Sequence, residues 1–223
     1  MPIPLILSWS GGKDAAMTLH ALQQDPRYEV VALLTTLNRD YRRIVMHGVR
    51  EDVLDAQAAA LGLPLDKLWL PVAPDNSAYE AVMREAMLRW QAKGVHHVAF
   101  GDLFLEDVRD YRIAQLARVG MEGVFPLFGS DTRQLARHLI REGFKAKLSC
   151  VDGSQLPAHF AGRDFDSALL ADLPAGVDPC GENGEFHSCI EAGPIFRQPL
   201  RVRRGESVTR DSRFHYVDLL LDD

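Results

Sequence analysis

Apolar residues along the chain fall into two alternating rhythms, short unbroken runs and longer stretches that repeat at helical spacing. Residues 3–7 form a run without the polar alternation of a one-sided strand, which predicts a central strand covered on both faces. Ala15, Leu19 and Leu22 recur at i, i+4 and i+7, a helix stripe able to pack back on that strand. After the Asp25-Pro26 break, residues 28–36 are rich in β-branched residues and leucine and predict a second strand. Residues 38–46 are polar and basic, with no periodicity, and read as a mobile loop over the ligand edge, either simply solvated or gripping a substrate. Val49, Val53, Ala56 and Ala60 predict a helix opened by His47-Gly48 and ended by Gly62 and Pro64.

The same rhythms continue to residue 143. Residues 65–70 read as a short strand closed by Pro71 and Pro74. Ser77-Ala-Tyr-Glu80 fits a capping box for a long helix that carries Tyr79, Val82, Met83, Ala86 and Trp90 inward as far as Gly94. Residues 95–100 predict a fourth strand, Tyr111 to Ala117 a helix, and residues 121–127 a fifth strand. A further helix starts at Ser130-Asp-Thr and ends at Gly143. Strands alternating with helices imply parallel βαβ units, hence an α/β, Rossmann-like, doubly wound parallel sheet. Beyond residue 143 the chain becomes turn-rich, with strands at residues 144–151 and 186–190 and a hairpin pair at 200–208 and 214–221. This change predicts a boundary near residues 135–143. A nucleotide-binding domain would span residues 1–138 and a smaller α+β, substrate-binding domain residues 139–223.

Composition narrows the class without naming the chemistry. Over 223 residues the chain is 47% hydrophobic and 25% charged, with a formal net charge of −6, which suits a globular protein and argues against a nucleic-acid partner. The start of the chain has no basic leader and no segment has the length of a membrane span, so the expected location is the cytoplasm with no membrane partner. Three cysteines, Cys150, Cys180 and Cys189, form no C-x-x-C pair and read as small buried hydrophobes, Cys180 least securely because of its acidic neighbours.

The chemistry begins where the first strand ends. Ser8-Trp-Ser10-Gly11-Gly12-Lys13-Asp14 joins strand to helix through residues that let backbone N–H groups approach an anion at the positive end of a helix dipole. The stretch from Ser10 to Asp14 resembles the pyrophosphate loop, Ser-Gly-Gly-x-Asp-Ser, of ATP pyrophosphatases that split ATP into AMP and pyrophosphate. It is too short for a P-loop kinase motif. Ala15 stands where that loop usually has serine.

Two further places join the loop on the ligand-binding edge of an open sheet. Leu34, Thr35 and Thr36 lie at the end of the second strand, where an adenine would sit, and Gly101-Asp102 lies at the tip of the fourth. Asp102 reads equally as a helix cap. Near the far end, Asp178-Pro-Cys-Gly-Glu-Asn-Gly-Glu-Phe-His187 packs three acids, an amide and two glycines before a strand. It is either a solvated turn or a site where Glu182, Asn183 and Glu185 converge on an amine, ammonia or a metal-bound phosphate.

Ser10-Gly-Gly-Lys-Asp14, His47-Gly-Val49, Ala60-Leu-Gly-Leu-Pro-Leu65, Gly101-Asp102, Pro126-Leu127, Gly162-Arg163 and Gly181-Glu-Asn-Gly-Glu-Phe186 resemble, in that order, the diphthine–ammonia ligase family. That family belongs to the N-type ATP pyrophosphatases of the PP-loop superfamily. The resemblance implies an adenine nucleotide alpha hydrolase-like fold and an AMP-forming ligase that adenylates a carboxylate and amidates it with ammonia. It implies ATP and Mg2+ as cofactors and an unidentified, protein-borne or free, carboxylate as substrate. Ser8, Ser10, Gly11, Gly12 and Lys13 would hold the leaving pyrophosphate and Asp14 a Mg2+. Leu34, Thr35, Thr36, Gly101 and Asp102 would line the nucleoside, and Glu182, Asn183 and Glu185 would serve the acceptor, so that Lys13, Asp14, Glu182, Asn183 and Glu185 form the catalytic set. Elongation factor 2 as partner and a homodimer are left open, as are two other readings: a PP-loop tRNA-modifying enzyme relying on Cys180, and a nucleotide-binding module without turnover, suggested by Ala15.

Overall fold

The computed structural model describes residues 1–71 and 75–222; Pro74, expected to help close a strand, lies outside the described residues. The first sheet contains β1 (Ile3–Ser8), β2 (Tyr28–Asn38), β3 (Arg43–Ile44), β4 (Leu65–Leu70), β5 (His97–Ala99) and β6 (Glu122–Val124). Between them run α1 (Lys13–Gln24), α2 (Glu51–Leu61), α3 (Asn76–Gln91) and α4 (Glu106–Ala117). After α5 (Thr132–Arg141) the chain builds a second, antiparallel sheet from β7 (Lys145–Asp152), β8 (Phe186–Ala192), β9 (Val202–Arg210) and β10 (Phe214–Leu221), with α6 (Ser167–Asp172) between β7 and β8.

The unbroken apolar run of β1 has a direct structural cause. β1 is central, paired in parallel with β2 on one side and β5 on the other, and β4 and β6 extend the parallel sheet outward. Leu5 and Leu7 enter a core with α1 and α2, whereas Ile6 between them enters a second core with α3 and α4. Both faces are therefore covered, as an α/β sheet requires. The α1/α2 core continues without interruption through Leu135, Leu139 and Phe144 into Leu148, Phe186 and Ile190 of the second sheet. That sheet, ordered β8-β7-β10-β9, sits on the α1/α2 side, where β8 meets α1 and β10 meets α2.

Three local expectations are corrected. The basic stretch after β2 is a turn and a short strand: β2 runs on to Asn38, and β3 pairs antiparallel along the edge of β2 beyond the end of β1. Its arginines hold protein carboxylates, with Arg42 on Glu51 at 2.6 Å and Arg43 on Asp218 at 2.8 Å. The cap of α3 is Asp75, whose carboxylate accepts from Ala78 N at 2.7 Å, whereas Glu80 reaches across to α4. The fourth and fifth strands are shorter than their apolar runs, because the ladder between them covers only three residue pairs.

Candidate active site

The phosphate loop leaves β1 at Ser8, which is half-buried and lies opposite Leu34. Gly12 is the N-cap of α1 and offers no capping side chain, so the first-turn N–H groups depend on other partners. Gly12 N–H donates to Ser10 Oγ at 3.4 Å and Lys13 N–H to Ser188 Oγ at 3.1 Å. The N–H groups of Asp14 and Ala15 belong to the same first turn, without intrahelical partners, at the positive end of the helix dipole where an anion is favoured. Ser188 comes from β8, 175 residues along the chain from Lys13. The second sheet thus places a hydroxyl at a loop that has Ala15, 3% exposed and packed in the core, where serine is usual.

Contact between loop and β8 is close and fully polar-paired. Ile190 N–H donates to Gly11 O at 2.8 Å. Gln57 of α2, fully buried, accepts from Trp9 Nε1 at 3.0 Å and donates through Nε2 to Gly11 O at 3.0 Å and Ile190 O at 2.7 Å. Gly12 permits this approach, since a Cβ there would stand 2.9 Å from His47 Cε1 and 3.0 Å from the Ser188 carbonyl. His47 Nδ1 lies 3.1 Å from that same carbonyl, and its ring centroid is 4.6 Å from that of His187. Burial lowers the pKa of both imidazoles, that of His187 to about 3 with help from His47 and Lys13, so the pair is neutral at ordinary pH.

Lys13 is 2% exposed, and its ammonium is held by three oxygens. It donates to Asp14 Oδ1 at 2.9 Å, to Asp14 Oδ2 at 2.8 Å and to the Cys180 carbonyl. Phe165 and Phe186 face it at 5.9 and 5.4 Å. Burial opposes the charge, but Asp14 and its neighbours outweigh burial and raise the pKa above the usual value. The lysine is therefore a fixed cation joining the loop to the acidic stretch after Pro179. Asp14 is 28% exposed on its side chain and fits a magnesium ion arriving on a triphosphate, since Mg2+ commonly takes one or two protein carboxylates plus phosphate oxygens. Among the described residues, no group of three His, Cys, Asp or Glu side chains is placed to hold a metal ion by itself.

The acidic stretch is mostly engaged with itself. Asp178 Oδ1 accepts from Cys180 N at 2.9 Å and Glu182 N at 3.3 Å, while Oδ2 accepts from Thr132 Oγ1 at 2.6 Å. Glu185, buried, accepts from Asp178 N at 2.8 Å, Asn183 N at 2.9 Å and Asn183 Nδ2 at 3.1 Å. The expectation that three groups converge on an acceptor therefore narrows: Glu185 and the Asn183 amide brace the turn, and Glu182 alone reaches the first sheet. Glu182 Oε1 accepts from Leu103 N at 2.8 Å, beside Gly101-Asp102. Burial raises the Glu182 pKa to about 7, with Asp14 and Asp102 adding to the shift and Lys13 and the Leu103 bond opposing it.

At the strand tips expected to line a nucleoside, Gly101 packs against the first turn of α1, where a Cβ would lie 3.0 Å from the Asp14 carbonyl carbon. Asp102 does not cap α4, whose N-cap is Leu105; it is ion-paired with Arg112, Oδ1 accepting from Nη2 at 3.2 Å and Oδ2 lying 2.7 Å from Nε. Leu34 and Thr35 are buried, the Thr35 hydroxyl donates to Trp9 O at 2.7 Å, and the Thr36 carbonyl accepts from Val45 N at 3.2 Å. These three residues thus stand level with the loop, with Leu34 turned into the α3/α4 core, Thr35 bonded to the loop and Thr36 joined to Val45 after β3.

Gln57, Ser188, His47 and Arg112 were not singled out as site residues from sequence. Gln57 left a trace, as a lone amide four residues after Val53 on an otherwise apolar helix face. Ser188 left none, because its partner is distant in the chain.

A glycine loop between a central parallel strand and a helix, carrying a lysine–aspartate pair, defines a PP-loop protein of the ATP-utilising kind. Profiles of two family domains match the chain, the Diphthamide synthase N-terminal domain over residues 4–122 and the Diphthamide synthase C-terminal domain over residues 131–218, and the chain belongs to that family. Among solved structures it is similar to the U34-tRNA thiolase NcsA from Methanococcus maripaludis with its 4Fe-4S cluster, at 17% identity over 62% of this chain and a TM-score of 0.38. The match spans 57% of that thiolase chain. No curated protein sequence matches the chain.

Proposed function

We propose that the protein is an ATP-dependent ligase that forms AMP and pyrophosphate, adenylating a carboxylate and amidating it with ammonia. The observation that carries this reading is the meeting of two distant segments: Lys13 of the phosphate loop bonds the Cys180 carbonyl, and two residues later Glu182 bonds Leu103 beside Asp102. Leaving-group loop and acceptor-side carboxylate therefore share one place. In this reading residues 1–138 bind the nucleotide and residues 139–223 present the acceptor.

Atoms balance in two steps. The acceptor carboxylate oxygen attacks the α-phosphorus of ATP, the bond to the β-phosphate breaks, and pyrophosphate leaves into the loop. Ammonia then attacks the acyl carbon, AMP leaves, and Glu182 takes a proton from nitrogen. A carboxyl group with a pKa near 7 is suited to that exchange at neutral pH. Ser10, Gly11, Gly12 and Lys13 contribute positioning and charge neutralisation rather than covalent chemistry. Asp14 would hold Mg2+, which supplies further neutralisation of phosphate charge.

The tRNA sulfur-transfer reading requires a reactive thiol. Burial raises the pKa of Cys150 to about 11 and those of Cys180 and Cys189 to about 12, and Cys180 Sγ is engaged with the Thr132 carbonyl at 3.3 Å. The direct test of the ligase is incubation with Mg-ATP, nitrogen-15 ammonium and a panel of small and peptide carboxylic acids. Nitrogen-15 amide appearing together with AMP supports the reading, and AMP formation that requires tRNA in place of any acid contradicts it.

A further inference from the structure

On the α3/α4 side of the first sheet, away from the second sheet, a cavity of about 470 Å³ opens between the two helices. None of the loop, nucleoside-side or acceptor-side residues described above lines it, apart from contact through Arg112. Its floor is apolar, made by Met83, Met87, Phe100 and Leu116. A void of this size falls in the range of small-ligand pockets and is far larger than the gaps left by ordinary core packing.

The polar rim is unbalanced in charge. Arg84, Arg112 and Arg118 line the cavity against a single acid, Glu80. Glu80 is already engaged by neutral donors, accepting from the Tyr111 hydroxyl at 3.1 Å and from Gln115 Nε2 at 2.9 Å, with Arg118 farther off at 3.8 Å. Arg112 lies 4.5 Å over the Phe100 ring and is committed to Asp102, with Nε 2.7 Å from Oδ2 and Nη2 donating to Oδ1 at 3.2 Å, while Arg118 Nη1 donates to Gln115 Oε1 at 3.1 Å. An apolar floor beneath Arg84 and Arg118, neither of which is hydrogen-bonded to a carboxylate among the described residues, matches a molecule with an apolar body and one anionic head.

We propose that this cavity is a second small-molecule site, separate from the nucleotide site, that binds an amphipathic monocarboxylate such as a medium-chain or single-ring acid. The phenyl floor and the methionines take the body, and Arg84 and Arg118 hold the carboxylate. The site stands whether or not the ligase reading does.

The test uses anilinonaphthalenesulfonate fluorescence on the full chain, with decanoate, decyltrimethylammonium and Mg-ATP as competitors. Saturable binding of one dye per chain is expected, displaced by decanoate but not by the cationic chain or by Mg-ATP. The double variant Arg84→Glu/Arg118→Glu, at two exposed positions, should bind dye and decanoate about tenfold more weakly with an unchanged ligand-free melting temperature. Equal displacement by decyltrimethylammonium, competition by Mg-ATP, no saturable binding, or a double variant that binds like the parent would each overturn the proposal.

Discussion

Lys13 is a cation kept in the interior by two carboxylate oxygens and a carbonyl, with no need of water. Replacing it with methionine keeps the packing against Phe165 and Phe186 and leaves Asp14 partly solvated, so folding should survive. AMP formation by Lys13→Met should fall roughly 10²–10³-fold, the usual loss when one preorganised charge stabiliser is removed, as measured by steady-state rates beside a melting curve. Glu182 supplies a pH signature. Its pKa of about 7 makes the unprotonated fraction, and with it kcat, rise through neutral pH, and Glu182→Gln should lower the rate and remove that limb. Stability moves oppositely. An acid whose folded pKa lies above its unfolded value carries no penalty below about 4.5 and the full penalty above about 7, so Glu182→Gln should melt higher than the parent at pH 8 and equally at pH 4. Residues whose neighbours lie close in the chain could be picked out as candidates from sequence: Lys13 and Asp14 beside their glycines, and Glu182 in its acidic turn. Ser188 and Gln57 were not, because a serine or an amide acquires its meaning only from what the fold sets against it.

At the scale of elements, the loop is held by a strand from the other sheet. Gln57 ties Trp9, Gly11 and Ile190 together from the buried face of α2, and Gln57→Leu takes this partner from the buried Trp9 Nε1 and Ile190 O, while Gly11 O keeps the Ile190 N–H. Loss of about 2–4 kcal/mol is expected in urea denaturation, since each unsatisfied buried group costs about 1–3 kcal/mol and the site relaxes in part. Gly12→Ala acts by another route: the added carbon meets the Ser188 backbone carbonyl, which cannot swing aside, so nucleotide affinity should drop while the two sheets each persist. Fluorescence titration with an ATP analogue would show it. The periodicities that named β1, β2, β4, α1 and α2 depend on many residues each and were legible for that reason. β3 was not, since it has only two residues and its turns put Arg42 and Met46, neither glycine nor asparagine, into left-handed backbone, although Asn38 Oδ1 caps the first turn.

At the scale of the molecule, one core spans both sheets, and charge clamps close its rim. Asp218 of β10 receives Arg43 and Arg50 at 2.8 and 2.6 Å, joining the second sheet to β3 and to the start of α2. Burial alone would raise the Asp218 pKa, yet the two arginines hold it at about 2 against the usual 3.8. Its contribution is present above pH 4 and disappears as pH falls through 2, so the parent should lose about 2 kcal/mol over that interval that Asp218→Asn does not. The two-sheet architecture was readable as an alternation that stops near residue 143, but the docking of β8 onto the loop was not, because it depends on shape and on backbone groups that every sequence shares. That docking underlies the central claim, that the loop holds pyrophosphate while the second sheet presents an acceptor to the α-phosphate. The bond at which ATP is cut tests it most directly. Phosphorus NMR of Mg-ATP consumed with ammonium and an accepted acid should show AMP and pyrophosphate in equal amounts, and ADP with inorganic phosphate would contradict the account.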